Sequence, residues 1–344
     1  MQIIIAPIHE TFFSGRIWMG LDLDRIQAIL QQDFGYSVQR FDFSEIAADY
    51  SLLPKDCVLF YTASYNDNYQ QYIKDVVYDL SQCRPDVVLL PDINQLYSFE
   101  NKGYQELYKK RIGIEKVHGI YYGDADDFPI ETTIFPFVYK SLKGAMSSGV
   151  RLIKSKEEFE SIAKSNKKLT LLERLRLYKK AKNQHKDKSL QPIRKYSEVN
   201  FSKFFSKRSA FVTQEFIPNL SCDYKVLVFG EKYYVLKRKV RDNDFKASGS
   251  GKFEWTEPSE KLLAYAHEVT TKMGVWFNSL DIVETATFCA LVEYQGIGFG
   301  PLTLIGSDSY FRKVGSGWQK TLESSNLEES YAQAIHFGLT HYKP

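Results

Sequence analysis

The chain has 344 residues, of which 44% are hydrophobic and 25% charged, and its formal net charge is +3 at pH 7. This length allows two or three compact domains, and the composition excludes a disordered or fibrous chain. The net charge is too small by itself to predict a nucleic-acid-binding protein. The sequence contains no apolar run of the length needed to span a bilayer.

The cysteines and the N-terminal residues indicate the cellular compartment in which we expect the protein. Cys57, Cys83, Cys222 and Cys289 are scattered without a C-x-x-C pair, which argues against a zinc cluster or a disulfide framework and is typical of a reducing compartment. The opening sequence MQIIIAPIHE has a short apolar run with no basic segment before it, so it does not predict a signal peptide. We therefore expect a cytoplasmic protein.

Strand-like and helix-like segments alternate through the first third of the chain. Short apolar runs predict strands, and apolar residues at helical spacing predict helices. The predicted strands are Ile3–Ile5, Tyr36–Val38, Cys57–Tyr61 and Asp86–Leu90, and the predicted helices are Leu21–Leu30, Tyr72–Leu80 and Asn101–Arg111. This alternation predicts a mainly parallel sheet with helices on both faces.

The pattern changes after residue 134. A predicted strand at Phe135–Lys140 is followed by a glycine-rich loop and a second strand, VRLIKS. Basic residues then outnumber acidic ones over residues 164–208. This segment is interpreted as a solvated, partly helical surface excursion, or alternatively as a segment that steers an anionic substrate, polymer or membrane surface. Further predicted elements are the strands Phe211–Phe216, Tyr224–Phe229, Tyr233–Arg238, Ser279–Glu284 and Cys289–Gln295 and the helix Ser259–Met273.

The stretch SLDIVETATFCALVEYQ is the most informative. Strand patterns on both sides of a turn at Thr285–Thr287 predict a hairpin. In an antiparallel pair closed there, Asp281 lies about opposite Glu293, and the two-residue period puts Gln295 on the same face as Glu293. The side chains expected on the opposite face are Ile282, Val292 and Tyr294.

Facing carboxylates indicate a cation. Asp281 and Glu293 would repel each other and resist desolvation across a buried sheet. A hard cation such as Mg²⁺, with oxygen ligands and bound phosphates, removes that penalty. Solvated acids on an open sheet face are the alternative interpretation.

Two other segments have features of a nucleotide site. Lys140 ends a predicted strand, and the small residues of the following KGAMSSG would let backbone N–H groups approach a polyphosphate. An ordinary flexible hairpin is the alternative, and no G-K-[ST] closes the loop as in a Walker A sequence. FVTQEFIPN is a predicted strand that runs into Pro218, and an extended edge of this kind leaves main-chain groups free to pair with an adenine edge. Glu215 and Asp223 would then accept from the amino group or the ribose hydroxyls.

The order of these segments resembles the ATP-grasp superfamily. The glycine-rich loop is followed by QEFI, then CDYKVLVFG, then KRK with DFKAS, and last by the LDIV…VEYQ hairpin. The resemblance covers about residues 100–300 and is nearest to the ligases that add glutamate to ribosomal protein S6, with the D-alanine–D-alanine ligases as cousins. It implies an α/β (α+β) ATP-grasp fold with an N-terminal Rossmann-like pre-ATP-grasp domain. The implied domains are residues 1–98, 99–210 and 211–344.

The resemblance also implies roles for single residues. The positions that match phosphate contacts are Lys102, Lys140, Gly144, Ser147 and Ser148. Those that match the adenine hinge and the ribose-binding acid are Gln214, Glu215, Phe216, Ile217 and Asp223. Those that match the magnesium ligands are Asp281, Glu293 and Gln295.

The same resemblance implies the catalytic positions, and at some positions this sequence departs from the family's usual residue. Arg238 matches a basic residue that faces the reacting phosphate, where it would stabilise the developing charge. Lys246 lies where the family usually has arginine, as does Lys225, and lysine lacks the bidentate fork. Gln295 replaces the usual asparagine at the last metal position.

The substrate is less constrained by the sequence. His9, Ser14 and Arg16 follow the first strand, where α/β sheets often bind ligands, so we expect them in the acceptor pocket unless they are simply loop residues. The resemblance implies an ATP- and Mg²⁺-dependent carboxylate–amine ligase that acts through an acylphosphate on an amino acid, a peptide or a uronic-acid glycan. An anionic acceptor and a homodimer are expected, and nucleic acid is not. The alternatives are an ATP-grasp kinase and a non-catalytic nucleotide-binding module.

Overall fold

The computed structural model describes residues 1–16, 19–144, 149–167, 175, 179 and 208–341. The chain divides into two units. One comprises Met1–His118, Lys143–Ser148 and Ile217–Pro344, and the other comprises Gly119–Leu142 and Gly149–Phe216. The three-domain division expected from the sequence stays a prediction. Within the described residues, no helix has both the length and the apolar character that crossing a membrane requires.

The first unit begins with a parallel sheet. Its elements are β1 (Gln2–Ala6), β2 (Phe13–Arg16), β3 (Met19–Gly20), α1 (Leu23–Gln32), β4 (Ser37–Arg40), α2 (Phe43–Ala48), β5 (Val58–Tyr61), α3 (Asp67–Cys83), β6 (Val88–Leu90), α4 (Ile93–Ser98) and α5 (Lys102–Arg111). The described strands pair in the order β4-β1-β5-β6, and every pair is parallel. Ile3 and Ile5 pack on one face and Ile4 on the other, so both faces are buried, as the alternating pattern predicted.

Helix α5 is unusual in the residues that it buries. It begins after Asn101, whose side chain accepts a hydrogen bond from the Tyr104 N–H. Its buried side chains include Gln105, Glu106 and Lys109. Charged side chains are seldom fully buried without a partner, and here Glu106 and Lys109 form an ion pair with each other on the helix.

The second unit is an antiparallel sheet with one helix described. Its elements are β7 (Gly119–Tyr122), β8 (Phe137–Ser141), β9 (Val150–Ile153), α6 (Lys156–Lys167) and β10 (Phe211–Glu215). The strand order is β7-β10-β8-β9, and an aromatic core that includes Phe128, Phe159 and Phe211 lies against it. The sequence did not predict β7. Because β7 pairs with β10, the strand expected to be a free edge is an interior strand.

The rest of the first unit is built on an antiparallel sheet. Its elements are β11 (Cys222–Phe229), β12 (Lys232–Lys239), β13 (Phe253–Glu254), α7 (Glu260–Met273), β14 (Phe277–Glu284), β15 (Cys289–Gln295), α8 (Leu302–Ile305), β16 (Ser309–Val314), β17 (Gly317–Leu322) and α9 (Leu327–His341). The strands pair in the order β15-β14-β11-β12-β16-β17, with β13 beside β12. One face, with Val226, Leu280 and Ile282, packs against α7.

The other face of this sheet changes character along β11. Leu227 and Phe229 lie in the apolar core that also contains Ile3 and Ile5 of the parallel sheet. Asp223 and Lys225 continue the same alternation towards the start of the strand. The parallel sheet therefore covers the apolar half of this face, and charged side chains occupy the other half.

Candidate functional site

The two acids of the hairpin face each other. Asp281 pairs with Glu293 in the β14–β15 register, as the sequence predicted. Ser279 pairs with Gln295, which puts the amide two residues from Glu293 on the same face. The Asp281 and Glu293 side chains are 15% and 23% exposed, so both carboxylates are largely removed from water.

A β-bulge separates these acids from the turn. Asp281 pairs with Glu293, but Ile282 pairs with Leu291, which leaves Val292 as the extra residue of β15. Val292 packs on the cluster of Val117, Val283 and Ala290 rather than with Ile282 and Tyr294 under α7. The sequence prediction for Val292 is therefore wrong, because a strict two-residue period does not continue through a bulge.

Arg238 connects two acids on the charged face. It pairs with Asp223 in the β11–β12 register, and its Nε and Nη2 donate to the two Asp223 carboxylate oxygens at 2.7 Å each. Its Nη2 is also 2.9 Å from Asp281 Oδ2. The guanidinium is fully charged in this setting, since burial works against the charge but the two acids hold its pKa above the ordinary value.

The two acids that share this guanidinium differ in pKa. Burial would raise the pKa of Asp281, but Arg238 and Lys225 outweigh it and hold the pKa below its ordinary value. For Asp223 burial prevails over the attraction of Arg238, and the pKa is raised. Asp281 is therefore the more firmly ionised of the two.

Lys225 completes the shell around Asp281. It faces Asp281 in the β11–β14 register, and its Nζ is 2.9 Å from Asp281 Oδ1 and donates to Ser279 Oγ at 2.9 Å. The sequence analysis names Lys225 only as the replacement of a family arginine and does not predict its contact with Asp281. The signal was present, because Lys225 follows Asp223 by two residues in a strand and therefore shares its face.

Lys102 forms an ion pair with Glu293, as Lys225 does with Asp281. It is the first residue of α5, is 7% exposed, and has its Nζ 3.4 Å from Glu293 Oε1. The same Nζ donates to the Gly144 carbonyl at 3.0 Å, and the Gly144 N–H donates to Glu100 Oε2 at 3.3 Å. Lys102 thus joins the start of the glycine-rich loop to a predicted metal ligand. Ser147 and Ser148 of that loop lie outside the described residues.

The remaining predicted residues of the first unit are less closely tied to the acids. Lys246 lies in the turn after β12, where its carbonyl accepts from the Arg241 N–H and its Nζ is 3.7 Å from Asp244 Oδ2. Ile217 packs on the cluster that contains Val283 and Ala290. Roles of Lys246 in catalysis and of Ile217 in adenine binding stay predictions.

The predicted nucleotide contacts of the second unit lie on β8 and β10. Lys140 is buried and pairs with Val212, and Gln214 is buried and pairs with Val138. Glu215 is exposed at the end of β10, and Phe216 follows the strand. β10 pairs with β7 as far as Gln214 and with β8 as far as Glu215, so the free edge expected from the sequence does not run along this strand.

The predicted acceptor residues are only partly described. His9 and Glu10 form a turn after β1 with positive φ values of 47° and 63°, and the His9 N–H donates to Asp42 Oδ2 at 2.6 Å. Two successive residues other than glycine in this conformation are strained, as residues at binding sites often are. Ser14 and Arg16 belong to β2, and their side chains lie outside the described part of the chain. The basic segment over residues 164–208 also falls largely outside it.

The acids suit a hard cation better than a soft one. Two facing carboxylates and the amide of Gln295 on the same face are oxygen donors of the kind that Mg²⁺ prefers. Across the described residues, no group of three or more His, Cys, Asp or Glu side chains is arranged to hold a metal. A cation here would therefore take its further oxygen ligands from the Gln295 amide, water or a bound phosphate. The donor set fits Mg²⁺ on those terms.

Comparison with solved structures identifies the fold. A RimK domain ATP-grasp protein from Sphaerobacter thermophilus DSM 20745 is 12% identical, with a TM-score of 0.52 over 97% of this chain and 98% of that chain. The D-alanine–D-alanine ligase of Bacillus anthracis complexed with ATP is 12% identical, with a TM-score of 0.51 over 99% and 97% of the two chains. The macrocyclase MdnC of Microcystis aeruginosa MRC, bound with the precursor peptide MdnA, is 12% identical, with a TM-score of 0.51 over 98% and 99%.

The chain therefore has the ATP-grasp fold over nearly its whole length, which confirms the resemblance drawn from the order of its motifs. Neither a protein-family model nor a curated protein sequence matches it. At this level of identity the likeness concerns the fold, and the Rossmann-like character of the N-terminal part stays a prediction.

Proposed function

We propose that this protein is an ATP-dependent carboxylate–amine ligase. The observation that carries the proposal is the charged half of the β11–β15 sheet face, where three acids and two bases lie together with side chains at most 23% exposed: Asp223, Lys225, Arg238, Asp281 and Glu293. Such a set is costly to bury and adds little to stability, which favours a role in binding or catalysis. The ATP-grasp fold around it favours ATP as the ligand.

In the proposed reaction, ATP phosphorylates a substrate carboxylate, an amine attacks the acylphosphate, and ADP and phosphate leave. Arg238 holds the transferring phosphoryl group and stabilises the charge that develops on it, with Lys246 as a second cation. Lys102 and Lys140 bind phosphate oxygens, Asp223 contacts the ribose, and residues 214–217 contact the adenine. Orientation of the three reactants supplies much of the rate.

Asp281, Glu293 and Gln295 are the proposed ligands of Mg²⁺. Mg²⁺ held by these residues would offset the charge of the phosphate oxygens. The chain's own cations already neutralise the two acids, so the site stays folded before the metal arrives. With a cation held by the carboxylates, Lys225 and Lys102 would be available to phosphate oxygens.

The acceptor is proposed to be an amino acid or peptide, with an anionic uronic-acid glycan as the other candidate. The peptide proposal draws support from a neighbour of the same fold that was solved with a precursor peptide. The turn at His9 and Glu10 is the proposed acceptor contact, since strained backbone often marks binding sites.

The test is product analysis with Mg-ATP and a panel of amino acids and dipeptides. We expect ADP, phosphate and a condensed product that has lost one water. A stable phosphorylated acceptor would instead identify a kinase, and a thermal shift with Mg-ATP but no ADP across the panel would identify a non-catalytic binding module. Asp281→Asn should abolish ADP release without lowering the content of folded protein, and unchanged turnover would overturn the metal assignment.

A further inference from the structure

The outer edge of β15 is completed by side chains rather than by a strand. Among the described strands β15 pairs with β14 alone, and buried backbone groups on its other edge need partners. The Leu291 N–H donates to the Tyr265 hydroxyl at 3.0 Å, and the Leu291 carbonyl accepts from Lys109 Nζ at 3.4 Å. The Tyr294 N–H donates to Gln105 Oε1 at 3.5 Å.

These three contacts bracket the bulge of β15. Leu291 and Tyr294 are the residues on either side of Val292 and Glu293. A bulge interrupts the ladder, and a slip of one residue would turn each side chain to the opposite face. The contacts from α5 and α7 therefore bear on whether the Glu293 carboxylate stays opposite Asp281.

Lys109 reaches this edge as half of a buried ion pair. Its Nζ lies 2.8 Å from Glu106 Oε1 one turn back on α5, and the two side chains are only 1% and 4% exposed. Burying both charges is costly, and apolar replacements of such pairs are often as stable or more stable. Stability alone therefore does not account for the pair. The hydrogen bond from Lys109 Nζ to the Leu291 carbonyl indicates a role that involves β15.

We propose that Glu106 and Lys109 are positioning residues for the metal site. Glu106 fixes the Lys109 ammonium, Lys109 and Gln105 hold the two ends of the bulge, and Glu293 is thereby kept opposite Asp281. The pair acts through the β15 backbone. This inference rests on the proposed function, because it takes Asp281 and Glu293 as cation ligands.

The test replaces the pair and measures metal affinity. Glu106→Met with Lys109→Met keeps the side-chain volume and removes both buried charges, so we expect a melting temperature at or above that of the wild type. Mn²⁺ binding to the full chain, followed by electron paramagnetic resonance with a non-hydrolysable ATP analogue, should be about tenfold weaker, the usual scale for groups that orient metal ligands. Lys110→Met, an exposed position on the same helix, should bind Mn²⁺ like the wild type.

The outcomes separate the two levels of the proposal. A folded double variant with wild-type Mn²⁺ affinity overturns the positioning role. A wild-type chain that binds no Mn²⁺ overturns the metal site itself and this inference with it. If the double variant does not fold, Gln105→Met gives the same readout, since it removes the acceptor of the Tyr294 N–H and leaves the ion pair intact. Unchanged affinity in that variant would likewise count against the proposal.

Discussion

Lys225 faces Asp281 across neighbouring strands, with its Nζ 2.9 Å from Asp281 Oδ1. The other carboxylate oxygen is 2.9 Å from the Arg238 guanidinium. An arriving cation must therefore share the Asp281 carboxylate with two internal cations or displace one of them. Lysine is the easier of the two to displace, because it makes a single-point contact on a flexible stem whereas Arg238 is also held by Asp223.

Lys225→Met should therefore strengthen metal binding in the absence of nucleotide. Two unit charges about 4 Å apart interact by about 4 kcal/mol at an effective dielectric constant of about 20. If the loss of Lys225 changed the binding free energy by only a third of that value, Mn²⁺ binding would tighten about tenfold. The measurement is a Mn²⁺ titration of the nucleotide-free chain at fixed ionic strength. Lys237→Met, which removes a lysine whose Nζ is 3.7 Å from Glu254, is the control, and equal or weaker binding in the Lys225 variant would contradict the expectation.

Arg238→Met should destabilise the fold by about 3–5 kcal/mol, because it leaves two largely buried carboxylates without their shared cation. The measurement is urea unfolding at pH 7. Arg238→Lys keeps the charge but not the paired hydrogen bonds to Asp223, so its loss should be intermediate. Adding Asp223→Asn to Arg238→Met should recover part of the loss, since one uncompensated charge is then removed. Additive effects of the two substitutions would contradict the shared network.

Gly338→Ala should destabilise the packing of α9. A Cβ at Gly338 would overlap the indole ring of Trp276, which is 8% exposed and has little room to move. Overpacking of this kind costs about 1–3 kcal/mol. Urea unfolding followed by tryptophan fluorescence measures both the stability and the surroundings of Trp276. Gly317→Ala, where a Cβ meets no atom within 4 Å, is the matched control and should differ little from the wild type.

Much of the fold follows from local patterns in the sequence. Ile3–Ile5 and the run at Val58–Tyr61 are apolar on both faces, which is why they could be assigned to a covered parallel sheet. The chain after residue 295 is harder to assign, since β16 and β17 include exposed lysines and α9 has apolar residues around much of its surface. Neither a clean two-residue nor a clean 3.6-residue period marks these elements.

The candidate site was predictable only within one hairpin. The pairing of Asp281 with Glu293 follows from the turn that joins their strands, and the structure confirms it. The cations that hold the acids come from β11, β12 and α5, and a sequence does not state the register between elements so far apart. The residues beside the bulge at Val292 contact side chains of α5 about 180 positions earlier, such as Lys109 with Leu291, and no local sequence pattern shows such contacts.

Lowering the pH should weaken the ion pair between Arg84 and Asp86 in the parallel-sheet region. The Arg84 guanidinium donates from Nε and Nη2 to the two Asp86 oxygens at 2.9 and 2.7 Å, and these hydrogen bonds lower the pKa of Asp86 from 3.8 to about 2. A carboxyl with a lowered pKa stabilises the fold fully above its unfolded pKa and loses that contribution as the pH falls towards the folded value. The stability difference between wild type and Asp86→Asn should therefore be constant from pH 7 to about pH 5 and shrink between pH 4 and pH 3. Urea unfolding of both proteins across this pH range measures the stability difference. The other carboxyl groups titrate alike in the two proteins, so their contributions cancel. A difference that stays constant down to pH 3 would show that the ion pair with Arg84 does not set the pKa of Asp86.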